Sequence, residues 1–433
     1  MKQTFKLKIS VLAIALLFCS VRVSAQHVEH GGKHADDIAN EEHHHDHDHS
    51  SPIHSHDDFN KYFLAVHGIT LFNATNVLND RFENPDGATK QWNATASLPL
   101  FATAFGFGIT DKTKIFAKIE FEHGGIGGHQ HAGEHRHEAH VGLEKSGAVV
   151  LERVYLLHKF SENFNLRIGK MPVPIGQMYL AHEPVTYRAT LQGRADGKVI
   201  PHEWQEIGFS LFGDITPAWG YQLYCVTGLD ADYFSPENFV SEGKQSRFER
   251  NFYSTPAFIG RIDYKGIDNL NIGLTGYYGN TDLNTQDQTQ ARRNISVTLA
   301  ELSVVYKTNK LHAVSNVILG NATNTEKLDT PIAQQAMAAT VELGYNLNSK
   351  NMNNGLWLFG RVDYSNPIYK MPNGIVGDVR AKETAITGGI NYFLNSSVAI
   401  KAEYFHRLVG NENINNEQGV SVGAVFSFVP VNK

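Results

Sequence analysis

Apolar and polar residues alternate one for one in segment after segment of this chain. That two-residue period marks a sheet with one apolar face. Ile115, Ala117, Ile119 and Phe121 alternate with Lys114, Lys118, Glu120 and Glu122. Phe258, Ile262 and Tyr264 alternate with Arg261 and Asp263, and Leu356, Leu358, Val362 and Tyr364 with Arg361 and Asp363. Val420, Val422, Ala424, Phe426 and Phe428 share one side of the last such run. Between 148 and 160 either register can be read. Strand starts are expected near Tyr62, Trp92, Thr113, Gly147, Phe164, Glu203, Ala218, Thr255, Leu270, Ile295, Leu311, Gln335, Gly355, Lys382, Val398 and Gly419, about sixteen in all. Short turns such as Asp111-Lys112, Thr216-Pro217 and Asn309-Lys310 carry turn-favouring residues. They alternate with long polar connections at 75–91, 124–146, 172–202, 230–254 and 366–380.

In 433 residues the one apolar run is Ile9–Val21, too short to span a bilayer as a helix. Lys2, Lys6 and Lys8 precede it and Val23-Ser24-Ala25 follow, the pattern of a Sec-type leader cleaved near Ala25. Losing Lys2, Lys6, Lys8 and Arg22 takes the net charge from −6 to −10, which offers nucleic acid no basic footprint. Cys225 then stands alone, so no intramolecular disulfide is expected. Residues 26–60 are His, Asp, Glu and Ser with almost no large apolar side chains. Such a stretch buries too little to offset its ordering entropy and is expected to be a disordered arm. The division is therefore a leader at 1–25, a His-rich arm at 26–60 and a β-barrel at 61–433.

An all-β, antiparallel transmembrane barrel of about sixteen strands accounts for the pattern: apolar toward lipid, polar toward the lumen, short turns at one end and long loops at the other. Closure is required because an open edge in hydrocarbon leaves backbone groups unpaired. Trp92, Tyr155, Trp219, Tyr264, Trp357, Tyr364, Tyr392 and Tyr404 are expected in interfacial girdles. A soluble β-sandwich or propeller is the alternative, without a reason for the alternating connections.

Glu152-Arg153-Val154-Tyr155 and Asn165-Leu166-Arg167-Ile168-Gly169-Lys170-Met171-Pro172-Val173-Pro174-Ile175-Gly176 resemble a signature of the phosphate-selective porin O and P family. Glu206–Gly213 and Trp219–Tyr224 continue the likeness, which covers roughly 151–228. The resemblance implies a sixteen-stranded, trimeric outer-membrane porin of a Gram-negative bacterium, passing small anionic solutes, with an inward-folded loop after the second strand of the signature. The chain departs from that pattern in its His-rich segments and in the Val429–Lys433 tail beyond Phe428.

Charges at the constriction set a pore's selectivity. The lining candidates on the strands are Lys118, Arg153, Arg167, Lys170 and Lys401, with the pairs Arg261/Asp263 and Arg361/Asp363. The mixture of signs is unlike an arginine ladder, and such pairs can equally brace a hydrated wall. The segment 172–202 adds Arg188, Arg194 and Lys198 and is the candidate constriction; a plain surface loop is the competing reading.

Of 22 histidines, ten fall between His27 and His56. His43, His44, His45, His47, His49, His54 and His56 form one candidate metal cluster. His129, His131, His135, His137 and His140 form another, expected on an outer loop. In an extended chain His-x-His puts both imidazoles on one side, and imidazole beside carboxylate suits Zn²⁺ or another divalent transition metal. Loosely held metal is expected, with no required cofactor; the competing readings are a solubilising tract and a pH-dependent charge brush. His137-Glu138-Ala139-His140 is one residue short of the zincin spacing. No nucleophile and base stand out, so no enzyme is expected. The expected function is passive entry of small hydrophilic or ionic solutes, with His-rich segments that concentrate zinc. Alternatives are an anion porin with incidental histidines, and a non-conducting metal-buffering barrel. Expected partners are outer-membrane lipid, the permeating solutes or metal ions, and two further copies of the chain in a homotrimer.

Overall fold

Strand follows strand in a computed structural model that describes residues 61–78, 81–82, 84, 88–125, 147–245, 251–281, 283–284, 293–347, 355–410 and 414–429. The strands are β1 (Tyr62–Asn76), β2 (Trp92–Gly108), β3 (Thr113–Glu122), β4 (Ala148–Lys159), β5 (Asn165–Pro172), β6 (Gln205–Thr216), β7 (Trp219–Val226) and β8 (Ala257–Ile267). They continue as β9 (Leu270–Asn280), β10 (Ser296–Lys307), β11 (Leu311–Ala322), β12 (Gln335–Asn346), β13 (Gly355–Lys370), β14 (Glu383–Asn395), β15 (Val398–Val409) and β16 (Ile414–Phe428). Each pairs antiparallel with its chain neighbours, and β1 closes on β16 from Val66↔Phe428 to Asn76↔Gln418. The result is a closed barrel of sixteen antiparallel strands. Phe428 thus completes the ladder despite the tail that follows it.

The side-chain period sorts the two faces as the alternation requires. Ile115, Ile168, Phe258, Leu302, Val362 and Ile386 are exposed on the outside. Lys118, Arg167, Arg261, Arg361 and Lys401, on the opposite face of their strands, are buried in the interior. Trp92, Trp219, Tyr392 and Tyr404 lie on the outer surface, but Tyr155 and Trp357 point inward. Tyr155 stacks on Phe116 with ring centroids 5.2 Å apart, and Trp357 is fully buried. Each sits one residue from an outward leucine (Leu156, Leu358), so its own position in the alternation, rather than its aromatic character, sets its face.

The inside is not uniformly polar either. Val297, Leu299, Val226, Leu229 and Phe239 join Trp204 and Tyr277 in one buried apolar cluster. Part of the interior is packed as a core.

β4 explains why its register could not be read. Lys118 pairs with Arg153 but Ile119 pairs with Leu151, so Glu152 is the extra residue of a β-bulge. Both Glu152 and Arg153 are buried on the inside, with Leu151 and Val154 outside. Two consecutive inward charges break the period of two. At the other end of the chain β16 begins at Ile414, five residues before the expected Gly419. The polar residues there are strand after all, since Glu417 pairs with Arg407 of β15 and faces inward.

Candidate functional site: a segment across the barrel interior

β5 ends at Pro172 and β6 begins at Gln205; the residues between them lie inside the barrel rather than on its outer surface. The crossing opens with Val173 N–H donating to Trp204 O (2.9 Å), which joins the two ends of the segment. Gly176, at φ +90°, turns the chain into a single helical turn, Gln177–Leu180. A Cβ there would come within 2.9 Å of Asp196 Oδ2 and Ile200 Cδ1, so glycine fits both the conformation and the space.

Wall side chains satisfy the backbone of this segment on both sides of the barrel. Glu301 of β10 accepts from Gly176 N–H (2.9 Å), and Asn316 of β11 accepts from Gln177 Nε2 (2.7 Å). On the far side Lys401 Nζ donates to three carbonyls, Pro184 O (2.7 Å), Tyr187 O (2.6 Å) and Ala189 O (2.8 Å). Glu403 accepts from both Thr190 N–H and Thr190 Oγ1 at 2.7 Å. Arg361 donates to Leu191 O (3.0 Å), and Arg261 to Pro174 O (3.4 Å). Buried carbonyls with no regular secondary structure need such partners, and the wall charges supply them.

The charges themselves gather in groups. Around β3 and β4, Lys118 Nζ lies 2.8 Å from Glu120 and 2.7 Å from Glu152, and it touches His182 Nε2 of the crossing segment. Arg153 Nε donates to Glu152 Oε1 at 2.6 Å. Around β8, Arg261 binds Asp263 at 2.8 Å and Glu301 at 3.4 Å, with its guanidinium 4.8 Å from the Tyr179 ring centre. Around β13, Arg361 binds Asp363 at 2.7 Å and Glu342 at 3.7 Å. Toward the long-loop end, Arg81 and Arg407 clasp Glu383 and Glu417.

Other expected residues take different positions. Arg167 lies over the Phe212 ring, 3.9 Å from its centre. Lys170 shares a row with Val154 and Ile207, out of phase with Arg167, and donates to Leu151 O at 2.5 Å. Lys198 reaches Asn238 Oδ1 at 3.1 Å. Burial pushes the guanidinium of Arg194 down to about 10, and Arg407 adds to the shift. Arg188 descends from the segment between Trp357 (4.3 Å) and Phe393 (5.2 Å). Its Nε and Nη1 are buried without hydrogen-bond partners, as are Trp357 Nε1 and both His312 ring nitrogens. Burial lowers Arg188 to about 10 as well. Burial also brings His182 down to about 4, with Lys118 beside it adding to the effect.

Glu301, Glu342 and His182 are among the contributors that escaped the sequence reading, as are Arg81, Arg407, Glu383 and Glu417. Glu301 and Glu342 share their inward rows with Val297, Leu299 and Ala338, which masks the alternation. His182 lies in a connection with no period at all. All of the histidines expected to bind metal lie outside the described residues. Among the described residues, two groups bring metal-ligating atoms within 4.8 Å of one another: Glu120, Glu152 and His182, and Glu120, Glu122 and Glu203. A Ser-His-Glu trio also occurs, but Ser427 Oγ (2.7 Å) and Glu183 Oε2 (2.6 Å) both approach Nδ1 of His67. Meeting at one nitrogen, they are not arranged as a proton relay, which uses both nitrogens.

Several solved structures are similar to this barrel. The outer membrane channel DcaP of Acinetobacter baumannii matches with a TM-score of 0.52 at 12% identity, over 86% of this chain and 99% of that one. OprB of Pseudomonas putida matches with 0.52 at 13% identity, over 85% and 94%. An anion-selective porin from Comamonas acidovorans matches with 0.50 at 11% identity, over 85% and 100%. The shared feature is the porin fold. No protein-family profile matches the chain. A 177-residue stretch is 29% identical to an uncharacterized protein of Aquifex aeolicus (strain VF5), and it spans 40% of this chain and 36% of that protein.

Proposed function

We propose that this chain is an outer-membrane channel for passive entry of small hydrophilic or ionic solutes, exported by a leader cleaved near Ala25 and assembled as a homotrimer. The observation that carries the reading is the segment at 173–204, held inside the barrel by Lys401, Glu403, Arg361, Arg261 and Glu301. A segment anchored across the interior narrows the path and surrounds it with fixed charges of both signs, the arrangement by which pores select ions. The exposed apolar belt requires lipid, and the porin fold agrees with it. The two His-rich clusters are then collectors that raise the local concentration of zinc or a similar cation, a role argued from their composition. They require no fixed geometry.

A second reading, an anion pore of the phosphate-selective kind, is favoured by Arg188. A buried guanidinium with two nitrogens, Nε and Nη1, lacking acceptors, beside Trp357 and His312, is ready to meet an anion. Liposome swelling separates these from a non-conducting barrel. Vesicles carrying the mature protein are expected to swell in small sugars and in salts of both signs. Swelling restricted to salts of small anions favours the second reading, and vesicles that never swell refute both.

A further inference from the structure

One corner of the interior brings two buried carboxylates beside an imidazole. Glu120 and Glu152 meet His182 of the crossing segment there, with Lys118 and Arg153 bonded to them. Glu120 and Glu152 are each 1% exposed, and His182 8%. Glu120 Oε2 and His182 Nδ1 have no hydrogen-bond partner. A buried carboxylate oxygen left without a donor is costly and favours a cation that can reach it.

We propose that Glu120, Glu152 and His182 form a binding site for a divalent transition-metal cation of the zinc class, with Lys118 as its built-in competitor. The proposal rests on the barrel being a path for small ions, and it names one station on that path. Two carboxylate oxygens and an imidazole nitrogen are a zinc donor set, leaving the fourth position to water. Their ligand atoms already lie within 4.8 Å of one another. Bonds of about 2.0–2.2 Å put tetrahedral ligands roughly 3.5 Å apart, and His182 Nε2 already lies 3.4 Å from Glu152 Oε1 and 3.9 Å from Glu120 Oε1. The bulge at Glu152 is what brings this carboxylate to the same side as Glu120 and Lys118. His182 is supplied by the crossing segment, so the site exists only when that segment is docked. Its Nε2 faces both carboxylates, and the atom that now meets it there is Lys118 Nζ.

Lys118 gives the site its purpose. Its ammonium occupies the position a metal would take, 2.8 Å from Glu120 and 2.7 Å from Glu152, on a stem flexible enough to swing away. A cation arriving must displace it, and its return helps the cation leave. Passage requires binding strong enough to admit an ion and weak enough to release it. An internal competitor meets both conditions.

Zinc-edge anomalous diffraction from crystals of the mature chain soaked in zinc chloride locates the metal directly, and zinc bound elsewhere does not interfere. A peak between Glu120, Glu152 and His182 is expected. Lys118→Met should lower its half-saturating zinc concentration by about tenfold or more, because one unit charge at about 4 Å exceeds that factor even at a dielectric of 20. Glu152→Gln and His182→Gln should each weaken it by about a hundredfold, since losing a mere outer partner already costs ten- to a hundredfold. If those two variants fail to give heat-modifiable, folded barrels, the comparison of wild type with Lys118→Met still decides. No peak at this position in either protein overturns the site while leaving a conducting channel intact. A peak in a barrel that conducts nothing upholds the site and refutes the channel instead.

Discussion

Replacing Lys401 by Met tests what holds the interior segment in place. Lys401 Nζ is fully buried and donates three charge-assisted hydrogen bonds of 2.6–2.8 Å to Pro184, Tyr187 and Ala189. It also lies 4.3 Å from the Tyr187 ring centre. Bonds of this type contribute about 1.5–3 kcal/mol each, offset by the several kcal/mol needed to strip water from the ammonium. Methionine keeps the stem and its packing but leaves three carbonyls without their donor. The net loss of docking free energy is about 3–5 kcal/mol, a shift of roughly a hundredfold to several thousandfold toward the undocked segment. The barrel ladder does not depend on Nζ, so heat-modifiable migration should persist. Two readouts follow the segment: tryptic cleavage at Arg188, Arg194 or Lys198, and single-channel current. Lys401→Met is expected to be cut there much faster than wild type and to show larger, noisier conductance. Unchanged cleavage and conductance in a folded variant would refute the anchoring argument.

Acid should release the same segment through His182. Its pKa falls from 6.5 to about 4 on docking, so its stabilising contribution is complete above about 6.5 and is lost as pH drops toward 4. Tryptic-site exposure measured from a pH-jump series, or current noise across that window, should rise in wild type and rise less in His182→Gln. Asp230, after β7, works in the opposite direction. Burial lifts its carboxyl from 3.8 to about 7, so its destabilising effect is absent below about 4 and grows as pH climbs to 7. Asp230→Asn, which can still accept from Asp232 N–H, should make the 227–256 connection more protease-resistant at pH 8 and no different near pH 4. Deleting His27–His56 and His129–His140 should remove most zinc bound per chain in equilibrium dialysis while leaving barrel formation intact; undiminished binding would refute the collector role.

Much of the fold was legible because a lipid-facing wall imposes its period on every strand. The starts of β1, β2, β3, β9, β11, β12, β13 and β15 fall on the expected residues, and most others within two. Legibility failed where interior chemistry overrides the period. The bulge at Glu152 turns Glu152 and Arg153 inward together, where Glu152 meets both Arg153 and Lys118, and no local pattern announces it. Tyr155 and Trp357 look like girdle residues by type, yet one stacks on Phe116 and the other lies beneath Arg188. The charges of the interior were readable singly, as Arg261 and Asp263 were. Their partners on the crossing segment are backbone carbonyls and amides, which every residue has and no sequence distinguishes. The His-rich stretches carry their signal in composition alone.

Planar-bilayer recording of the purified mature protein addresses the central claim most directly. The account predicts discrete current steps from a barrel whose migration is heat-modifiable, with a reversal potential in a salt gradient that reports both ion signs permeating. Folded, inserted barrels that leave the membrane electrically silent would contradict it.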